Sequence, residues 1–439
     1  MLTTTTPVRQ LPPGPDGPVA EQLAAFERDP FGCVERTARR YGDVFTLRLG
    51  ALGNEGLTAV EHSGDWVFLT RPDQLKVMYG SDDRTSGALA NKVFFGTEEE
   101  SVGYIDGTMH RRRRAQLHPA FSGNRDYASI TANAVDAHLA RWPRGVPFDL
   151  FTALQALTSE IIVEVVCGGM DAEDKAALAA LLLPMENAEC GREEILEADR
   201  AVRAFVDERL PGHLDRCAEA GVDDVFAALL RHAAEGDGTL TDEVVRDEVF
   251  SLLYTGFSTT ANTLSWTFLH VLDDDRVREE LGHELGDRFR SRPVRAQDFR
   301  GLDYLDATIM EALRLHPVSA LNGVRMVVSP MRIDDYELPP GTFLVHCAYL
   351  LQRDPGLYPD PSLFRPERFV DASVDPYVWG AFGGGSRTCV GRGYARAEMR
   401  MILAMVLSSV RMRATGPIPA ARQQGIFMAP ERTRCVVEE

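Results

Sequence analysis

A ten-residue segment, Phe382 to Gly391, combines a cysteine with glycines that could hold it against a flat ligand. Three consecutive glycines precede the cysteine, and without a Cβ they let the backbone turn tightly and approach a ligand closely. Cys389 stands just before a predicted helix, where amide donors and the helix dipole favour the thiolate form of a cysteine, and Arg387 adds a nearby positive charge. The alternative is a structural cysteine in a glycine-rich turn. The complete arrangement favours a thiolate that binds or reacts.

The composition limits the classes of protein to which the chain can belong. Hydrophobic residues make up 44% of the 439 residues and charged residues 26%, which is ordinary for a globular protein with a sizeable core. The formal net charge of −18 argues against a general affinity for nucleic acid or an anionic membrane, because the summed field repels polyanions. We therefore expect neither partner.

The cysteines predict neither a disulfide framework nor a zinc site of the usual spacing. They are scattered, odd in number and without a C-x-x-C pair: Cys33, Cys167, Cys190, Cys217, Cys347, Cys389 and Cys435. The Thr/Pro-rich start lacks the apolar run of a secretory signal, and no apolar stretch is long enough to span a membrane. We expect a soluble, cytoplasmic monomer without a membrane anchor.

Apolar periodicity predicts a mainly helical chain with a small β portion, that is, an α+β fold. The clearest predicted strands are Val44–Leu49, Trp66–Thr70, Val324–Val328 and Thr342–Val345. The clearest predicted helices are Phe151–Val166, Asp174–Leu183, Asp242–Val271 and about Gly391–Val410. The third of these helices contains no proline and has Thr241 as its expected N-cap, so we expect it to cross the whole molecule.

No internal repeat, linker or low-complexity tract divides the chain. We therefore predict a single domain over residues 1–439, in which residues 1–18 form an extended N-terminal arm. Both ends of the chain are expected to contribute strands. A loop-rich stretch over residues 354–385 is expected to lead through the cysteine segment into the final helix.

Four motifs resemble those of the cytochrome P450 family, and the resemblance covers most of the chain. Besides the cysteine segment they are His110-Arg111-Arg112-Arg113-Arg114, Glu311-Ala312-Leu313-Arg314 and Phe364-Arg365-Pro366-Glu367-Arg368-Phe369. The resemblance implies the P450 fold and a soluble, bacterial-type haem-thiolate monooxygenase that binds haem b and uses dioxygen. It places Cys389 as the axial ligand of the iron, with Phe382 packed near the sulfur and Gly391 completing the motif. A thiolate ligand pushes electron density onto iron and favours O–O cleavage.

The other motifs imply supporting roles. A buried charged triad serving folding rather than chemistry would consist of Glu311, Arg314 and Arg368. Two haem carboxylates in an apolar pocket need paired donors, and those implied are His110, Arg114, Arg325 and Arg387. Arg325 depends only on its place in a β-prone segment, and an ordinary surface arginine is the alternative.

The long helix departs from the family where an acid normally helps to relay protons. Thr259 aligns with the threonine whose hydroxyl assists oxygen activation, and Gly256 with the glycine that would open a groove for dioxygen. The expected acid is replaced by Ser258, whose hydroxyl can pass a proton but cannot store one as a carboxylate can. Three interpretations stay open: a relay through Ser258 and water, help from the substrate or another acid, or a less common reaction.

The resemblance also implies a substrate pocket that is mostly apolar, with two asparagines as polar anchors. Its candidate residues are Asn91, Phe94, Phe95, Phe257, Leu321, Asn322, Ile426 and Phe427. They suggest a fairly hydrophobic small molecule, such as a terpenoid or polyketide of secondary metabolism, although each residue could equally belong to the core.

Electrons would come from a separate protein, because no flavin or nicotinamide fingerprint is fused to the chain. A basic face could bind an acidic ferredoxin, which a ferredoxin reductase would reduce, and a merely solvated face is the alternative. The residues of this predicted face are Arg111, Arg112, Arg113, Arg392, Arg396 and Arg400.

Two other classes stay open. A peroxide-driven or redox-neutral haem-thiolate enzyme would need no ferredoxin, and the atypical Ser258 is compatible with it. A non-catalytic haem sensor is the second, although Thr259 and the apolar segments argue against it. The sequence identifies neither the substrate nor the atom oxidised, the number of oxidation steps or the physiological redox partner.

Overall fold

The computed structural model describes residues 11–438 apart from 53, 55, 98, 122–126, 187–189, 237, 290–294 and 425–426. Most of the predicted N-terminal arm, residues 1–10, therefore lies outside the described residues. Residues 11–18 form no helix or strand, but the carbonyls of Pro12 and Pro13 accept hydrogen bonds from the side chain and amide of Thr46. This part of the arm is thereby fixed along the first strand.

The described residues form seventeen α-helices, five short 3-10 helices and twelve strands. The helices are α1 Val19–Arg28, α2 Pro30–Tyr41, α3 Pro72–Tyr79, α4 Gly87–Phe95, α5 Gly107–Phe121, α6 Tyr127–Arg141, α7 Leu150–Cys167, α8 Ala172–Leu182, α9 Arg192–Arg209, α10 His213–Ala220, α11 Val225–Glu235, α12 Asp242–Asp273, α13 Asp275–Leu285, α14 Asp303–Leu315, α15 Ala348–Leu351, α16 Pro376–Trp379 and α17 Arg392–Ser409. The strands are β1 Val44–Arg48, β2 Asp65–Leu69, β3 Thr85–Ser86, β4 Phe148–Asp149, β5 Asn322–Val327, β6 Met331–Ile333, β7 Tyr336–Leu338, β8 Phe343–His346, β9 Met412–Ala414, β10 Ala421–Gln424, β11 Phe427–Pro430 and β12 Arg434–Val437.

The first of two compact units contains the main sheet and the cysteine segment. It spans Met1–Arg112, Ser319–Ser362 and Val374–Cys389. Its five-stranded sheet has the order β1-β2-β8-β5-β3, and aromatic and β-branched residues fill the strands, as a half-buried pleated surface requires. Trp66 stacks on Phe343 across the parallel β2–β8 pair, with ring centroids 4.3 Å apart, and this contact lies in the core under the sheet.

The second unit is mostly helical and spans Arg113–Val318, Leu363–Ser373 and Val390–Glu439. Its central element is the 32-residue helix α12, which begins as predicted because the Thr241 side chain accepts a hydrogen bond from the amide of Val244. Helix α7 packs along α12. Among the described residues α7 is also the helix long and apolar enough to cross a membrane, and 72% of it is buried inside the structure.

The predicted secondary structure agrees with the observed elements to within a few residues. The predicted strands correspond to β1, β2, β5 and β8, and the four clearest predicted helices correspond to α7, α8, α12 and α17. The mainly α fold with a small β portion is confirmed, and the five-stranded sheet joins β1, β2 and β3 from the first hundred residues to the much later strands β5 and β8. The single-domain organisation stays a prediction.

Candidate active site

The cysteine segment forms a tight loop in the first unit. The amide of Cys389 donates a hydrogen bond to the carbonyl of Phe382 at 3.0 Å, which closes the loop. Gly385 has a φ of +63°, and a Cβ at this position would lie 2.7 Å from the carbonyl oxygen of Tyr79. The glycine is therefore required both by its backbone conformation and by its close packing. The side chain of Cys389 is exposed just before α17, where a ligand can reach its sulfur.

A buried tyrosine supports this loop. A Cβ at Gly384 would meet the ring of Tyr79 at 2.7 Å, so the loop lies directly on the aromatic ring. The Tyr79 hydroxyl lies 3.1 Å from Nδ1 of His346 and 3.5 Å from the side-chain oxygen of Asn322. Burial lowers the pKa of His346 to about 3 and raises that of Tyr79, so both groups stay neutral. Sequence reasoning missed this support, because no local motif marks it.

Arg387 is held by the segment that precedes α5. Its guanidinium donates to the carbonyls of Gly103 at 3.2 Å and of Ile105, and it is paired with the carboxylate of Asp106. Burial opposes ionisation of Asp106, but the hydroxyl of Ser86 and the charge of Arg387 together hold its pKa below the usual range. Arg387 is thus fixed two residues before the exposed thiol.

Arg325 is a buried cation in β5 of the first unit. Its side chain is about 3% exposed, and its Nη1 donates to the carbonyls of Gly323 at 3.3 Å and Val324 at 3.1 Å. Its Nε has no hydrogen-bond partner among the described residues, and burial lowers the pKa of the guanidinium. A buried guanidinium is stable only with anionic or hydrogen-bonding partners, so this donor fits an anionic group such as a haem carboxylate.

Helix α5 carries the two remaining candidate cations, His110 and Arg114. The i, i+4 spacing places them on one face of the helix. His110 is buried and Arg114 is half-buried, whereas Arg111 and Arg112 are exposed.

The second unit brings the charged triad together. Arg314 Nε donates to Glu311 at 2.7 Å, both side chains are completely buried, and Arg368 Nε lies 3.3 Å from the same carboxylate. Glu311 also accepts from the backbone amide of Arg365 at 2.9 Å, and Arg314 donates to the carbonyl of Leu363. The triad therefore fixes the loop after residue 362 to helix α14, as a structural role requires.

The oxygen-activation segment presents two threonines on one face of α12. Thr255 is exposed although α12 is otherwise largely buried, and Thr259, one turn later, is half-buried. The Thr259 hydroxyl donates to the carbonyl of Thr255 at 3.0 Å. Ser258 is completely buried, and the Asn262 side chain donates to its carbonyl at 3.0 Å. Ser258 therefore faces a different side of the helix from Thr255 and Thr259.

Two residues of this helix that have predicted roles pack against α7. A Cβ at Gly256 would lie 2.6 Å from Ile162 in α7, so this glycine permits close packing of the two helices, and its role in opening a groove for dioxygen stays a prediction. Phe257 is completely buried, and its carbonyl accepts from Thr158 of α7 at 3.0 Å. Phe257 belongs to the α7–α12 core and does not line an open pocket.

The other predicted pocket residues are found in several environments. Asn91 donates to the carbonyl of Gly103 at 2.9 Å, and Asn322 is similarly engaged with Gly380 at 3.4 Å, so both amides already bind backbone. Phe427 is buried, and Ile426 lies outside the described residues. The half-buried apolar side chains are those of Phe94, Phe95 and Leu321.

The predicted basic face needs one correction. Arg113 is 3% exposed and forms an ion pair of 2.6 Å with the completely buried Glu248 of α12, so it cannot contact a partner protein. Arg400 and Arg396 of α17 are partly neutralised by Asp306 of α14. The predicted residues that remain exposed are Arg111, Arg112 and Arg392.

A buried group of possible metal ligands has another explanation. His213 Nε2 lies 3.0 Å from Asp224 and 3.4 Å from the sulfur of Cys217. Asp224 already accepts from the amides of Gly169 at 2.8 Å and Ala227 at 2.7 Å, and it caps α11. Burial and Asp224 raise the pKa of Cys217 to about 12, which keeps the thiol protonated. The group is a hydrogen-bonded helix cap.

Comparison with known proteins agrees with this site. The family model described as Cytochrome P450 matches residues 192–436. Cytochrome P450 135B1 of Mycobacterium tuberculosis is 31% identical over 450 aligned positions, which cover 96% of this chain and 90% of that protein. Cytochrome P450 135A1 and cytochrome P450 138 of the same organism are 31% and 27% identical, each over 93% of this chain.

The chain belongs to the cytochrome P450 family. It is a monooxygenase that binds haem b through an axial cysteine thiolate and uses dioxygen. The exposed Cys389 sulfur and the unpartnered donor of Arg325 both fit such a group. When bound, haem supplies the iron at which dioxygen is reduced and cleaved.

Proposed function

We propose that the protein is a soluble, cytoplasmic, monomeric monooxygenase that oxidises a fairly hydrophobic secondary metabolite, such as a terpenoid or polyketide. The observation that carries the proposal is the exposed thiol of Cys389 on a glycine loop that lies on Tyr79. The loop packs on Tyr79 and is closed by the hydrogen bond from the Cys389 amide to the Phe382 carbonyl. These contacts restrict the backbone that carries the sulfur, as a ligand of iron requires. In this proposal Phe382 would pack near the sulfur, and Gly391, the residue that precedes α17, would complete the motif.

The buried and partly buried cations would hold the haem carboxylates. These residues are His110, Arg114, Arg325 and Arg387. Arg325 supports this assignment most strongly, because its Nε is a buried donor without a partner among the described residues. Arg387 is already oriented by Asp106 and by backbone carbonyls, so its guanidinium loses little freedom when it binds a carboxylate.

The hydroxyl groups of α12 would position dioxygen and its protons. Thr259 presents its hydroxyl on the accessible face of the helix, where Thr255 is also exposed. Ser258 faces the interior beside Asn262, so a relay through its hydroxyl would need a side-chain rotation or water. The chain therefore has an alcohol at the expected position but no acid beside it.

The substrate would meet a largely apolar surface. Phe94, Phe95 and Leu321 are half-buried and are not committed to polar contacts, so they can contact a hydrophobic molecule. Both candidate asparagines already donate to backbone carbonyls, which leaves few polar anchors. This balance favours a substrate with few hydrogen-bonding groups.

Electrons would come from an acidic ferredoxin and its reductase. Arg392 is exposed at the start of α17, three residues after Cys389, and Arg111 and Arg112 are exposed on α5. On a chain of net charge −18, such local positive charge attracts an acidic partner and orients it.

A ligand screen on the purified haem protein tests the proposal. Hydrophobic terpenoids and polyketides are added while the Soret band is followed, and matched polar derivatives of the same skeletons serve as controls. We expect apolar members to shift the spin state and then to be oxidised in the presence of ferredoxin, reductase and NADPH. Turnover with hydrogen peroxide alone, and none with the reductase chain, would contradict the ferredoxin-dependent function.

A further inference from the structure

Tyr79, the last residue of α3, contacts two parts of the first unit that carry proposed haem-binding groups. It is 4% exposed. A Cβ at Gly384 would lie 2.7 Å from its ring, and a Cβ at Gly385 would lie 2.7 Å from its carbonyl oxygen. The guanidinium carbon of Arg325 lies 5.4 Å from the centre of the same ring, within the range of a cation–π contact. Tyr79 therefore adjoins both the loop that carries Cys389 and the cation proposed to bind a haem carboxylate.

An irregular stretch of β5 also closes on the Tyr79 hydroxyl. The pairing of β5 with β8 shifts register between Asn322 and Arg325. Gly323, inside this shift, has a φ of +60°, and a Cβ there would overlap the Tyr79 hydroxyl, so the position requires glycine. The Arg325 side chain donates to the carbonyl of Gly323 at 3.3 Å. Because such irregularities turn the side chains beside them, the hydroxyl supports the backbone that orients Arg325.

A chain of hydrogen bonds runs from His346 through Tyr79 to the start of the cysteine loop. The Tyr79 hydroxyl lies 3.1 Å from Nδ1 of His346 and 3.5 Å from Oδ1 of Asn322. The Asn322 side chain donates to the carbonyl of Gly380 at 3.4 Å, and the same carbonyl accepts from the amide of Gly383 at 3.0 Å. The hydroxyl has one hydrogen, so it can donate to Asn322 only while it accepts a hydrogen bond from Nδ1 of His346. The bonds then follow one direction toward the loop.

His346 is held in place for this single contact. It is completely buried, and within the described part of the chain its Nε2 has no hydrogen-bond partner. A Cβ at Gly380 would lie 2.5 Å from its ring, so the imidazole is packed tightly. Burial lowers its pKa to about 3, which keeps the ring neutral. A polar ring in the interior is costly unless it is bonded, and the bond to Tyr79 accounts for its presence.

We propose that Tyr79 and His346 are positioning residues that hold the cysteine loop and Arg325 in one fixed relation to each other. The inference rests on the proposed function, in which Cys389 is the iron ligand and Arg325 binds a haem carboxylate. A guanidinium fixed at the haem favours the ferrous state, which carries one more negative charge than the ferric state. A guanidinium that is less fixed and more hydrated favours it less, because water screens its charge. Tyr79 and His346 thereby raise the reduction potential of the iron.

A redox titration of the holoenzyme tests the proposal without measuring turnover. Tyr79→Phe keeps the ring under the loop and removes only the hydroxyl. We expect the midpoint potential of this variant to lie below that of the wild type. Tyr377→Phe is the matched control and should keep the wild-type potential, since it removes a hydroxyl from a half-buried tyrosine whose ring lies 6.1 Å from that of Tyr79. A wild-type potential in Tyr79→Phe would overturn the proposal, even if the variant is less stable.

Two substitutions of His346 separate the hydrogen bond from the packing of the ring. His346→Asn keeps a polar group near the place of Nδ1, whereas His346→Leu removes it. We expect the potential to fall in His346→Leu as it does in Tyr79→Phe, and to stay close to the wild-type value in His346→Asn. The double variant Tyr79→Phe/His346→Leu should show no further fall, because both changes remove the same bond. Additive falls, or equal falls in the two His346 variants, would overturn the proposal.

Transfer of haem to apomyoglobin measures how firmly the haem carboxylate is held. We expect transfer from Tyr79→Phe to be about five-fold faster than from the wild type, since a misaligned Arg325 loses part of a hydrogen bond. Equal rates would overturn the part of the proposal that concerns Arg325. A wild-type protein without a thiolate haem spectrum would instead overturn the proposed function. A normal wild-type spectrum with unchanged potentials in the variants would overturn the positioning role alone.

Discussion

At the scale of single residues, Cys389 and Glu398 lie in opposite environments, the first accessible and the second buried. Cys389 is exposed at the end of a glycine loop, where its lone pairs can reach a metal ion. Glu398, nine residues later, is buried among Tyr394, Tyr127 and Thr260. Burial favours the neutral form of the Glu398 carboxyl, whereas the Cys389 sulfur is accessible to a ligand.

The ligand assignment predicts a spectroscopic change on a single substitution. The reduced wild-type protein with carbon monoxide should absorb at the long wavelength that characterises thiolate ligation, because electron donation from sulfur shifts the Soret band. Cys389→Ser should lose this band, since a serine hydroxyl is a poor ligand for iron. Cys435→Ser, at a buried cysteine in β12, serves as the matched control and should keep it. A normal band in Cys389→Ser would refute the assignment.

Glu398 also predicts how stability depends on pH. Its pKa is raised from an ordinary 4.5 to about 8 in the folded protein, so between these values the folded state holds a proton that the unfolded state has lost. The free energy of unfolding should therefore fall as pH rises from 4.5 to 8, by several kcal/mol at roughly 1.4 kcal/mol per pKa unit. Urea unfolding at several pH values should show a flatter profile for Glu398→Gln. A wild-type slope in that variant would contradict the raised pKa.

At the scale of elements, two buried charge clusters fix the helices that carry functional residues. The triad of Glu311, Arg314 and Arg368 ties α14 to the loop after residue 362. Arg113 and Glu248 tie α5 to α12 through a bond of 2.6 Å. Helix α5 also carries His110 and Arg114, so the Arg113 pair sets the position of the proposed carboxylate-binding residues.

Removing one partner of the α5–α12 ion pair should be costly. Arg113→Met leaves the carboxylate of Glu248 buried without its cation, and such losses cost about 3–5 kcal/mol. The double variant Arg113→Met/Glu248→Met removes both charges and should recover most of this stability. Denaturant unfolding of the haem-bound proteins measures the difference. A cost below roughly 1 kcal/mol for Arg113→Met would show that the pair does not lock the helices.

At the scale of the whole molecule, a few exposed arginines oppose a strong negative charge. The net charge of −18 repels acidic proteins in general, so binding of an acidic ferredoxin depends on local positive groups. Arg396 and Arg400 contribute less than their spacing suggests, because Asp306 offsets them. Arg392 is exposed and follows the cysteine segment, which makes it the best single residue for testing a docking surface.

Charge reversal at Arg392 should slow electron transfer from ferredoxin. We expect Arg392→Glu to lower the second-order rate of reduction about ten-fold at low salt and to weaken its dependence on ionic strength, because electrostatic steering is lost. Arg332→Glu, at an exposed arginine paired with Asp335 in the β6–β7 hairpin, is the matched control. Stopped-flow reduction measures both variants. Equal rates for Arg392→Glu and the wild type would exclude docking at this position.

The sequence by itself determined the class of the protein and most of its elements. Local periodicity predicted the strands β1, β2, β5 and β8 and the long helix α12 with its Thr241 cap. This is possible because an element that buries one face has apolar residues at the spacing of its own repeat. The cysteine segment and the Glu311 motif are also short runs of consecutive residues, so the sequence alone reveals them. A charged residue in the apolar row of α17 was a visible signal for Glu398, but spacing alone does not show whether a buried acid is paired.

Only the tertiary structure showed the environment of residues whose neighbours in space are distant in the sequence. Arg113 is buried where Glu248, 135 residues away, pairs with it, and Gly256 packs against Ile162 of another helix. Tyr79 supports a cysteine loop about three hundred residues later in the chain. Burial, ion pairing and pKa depend on what lies nearby in space, and local sequence patterns do not encode these neighbours.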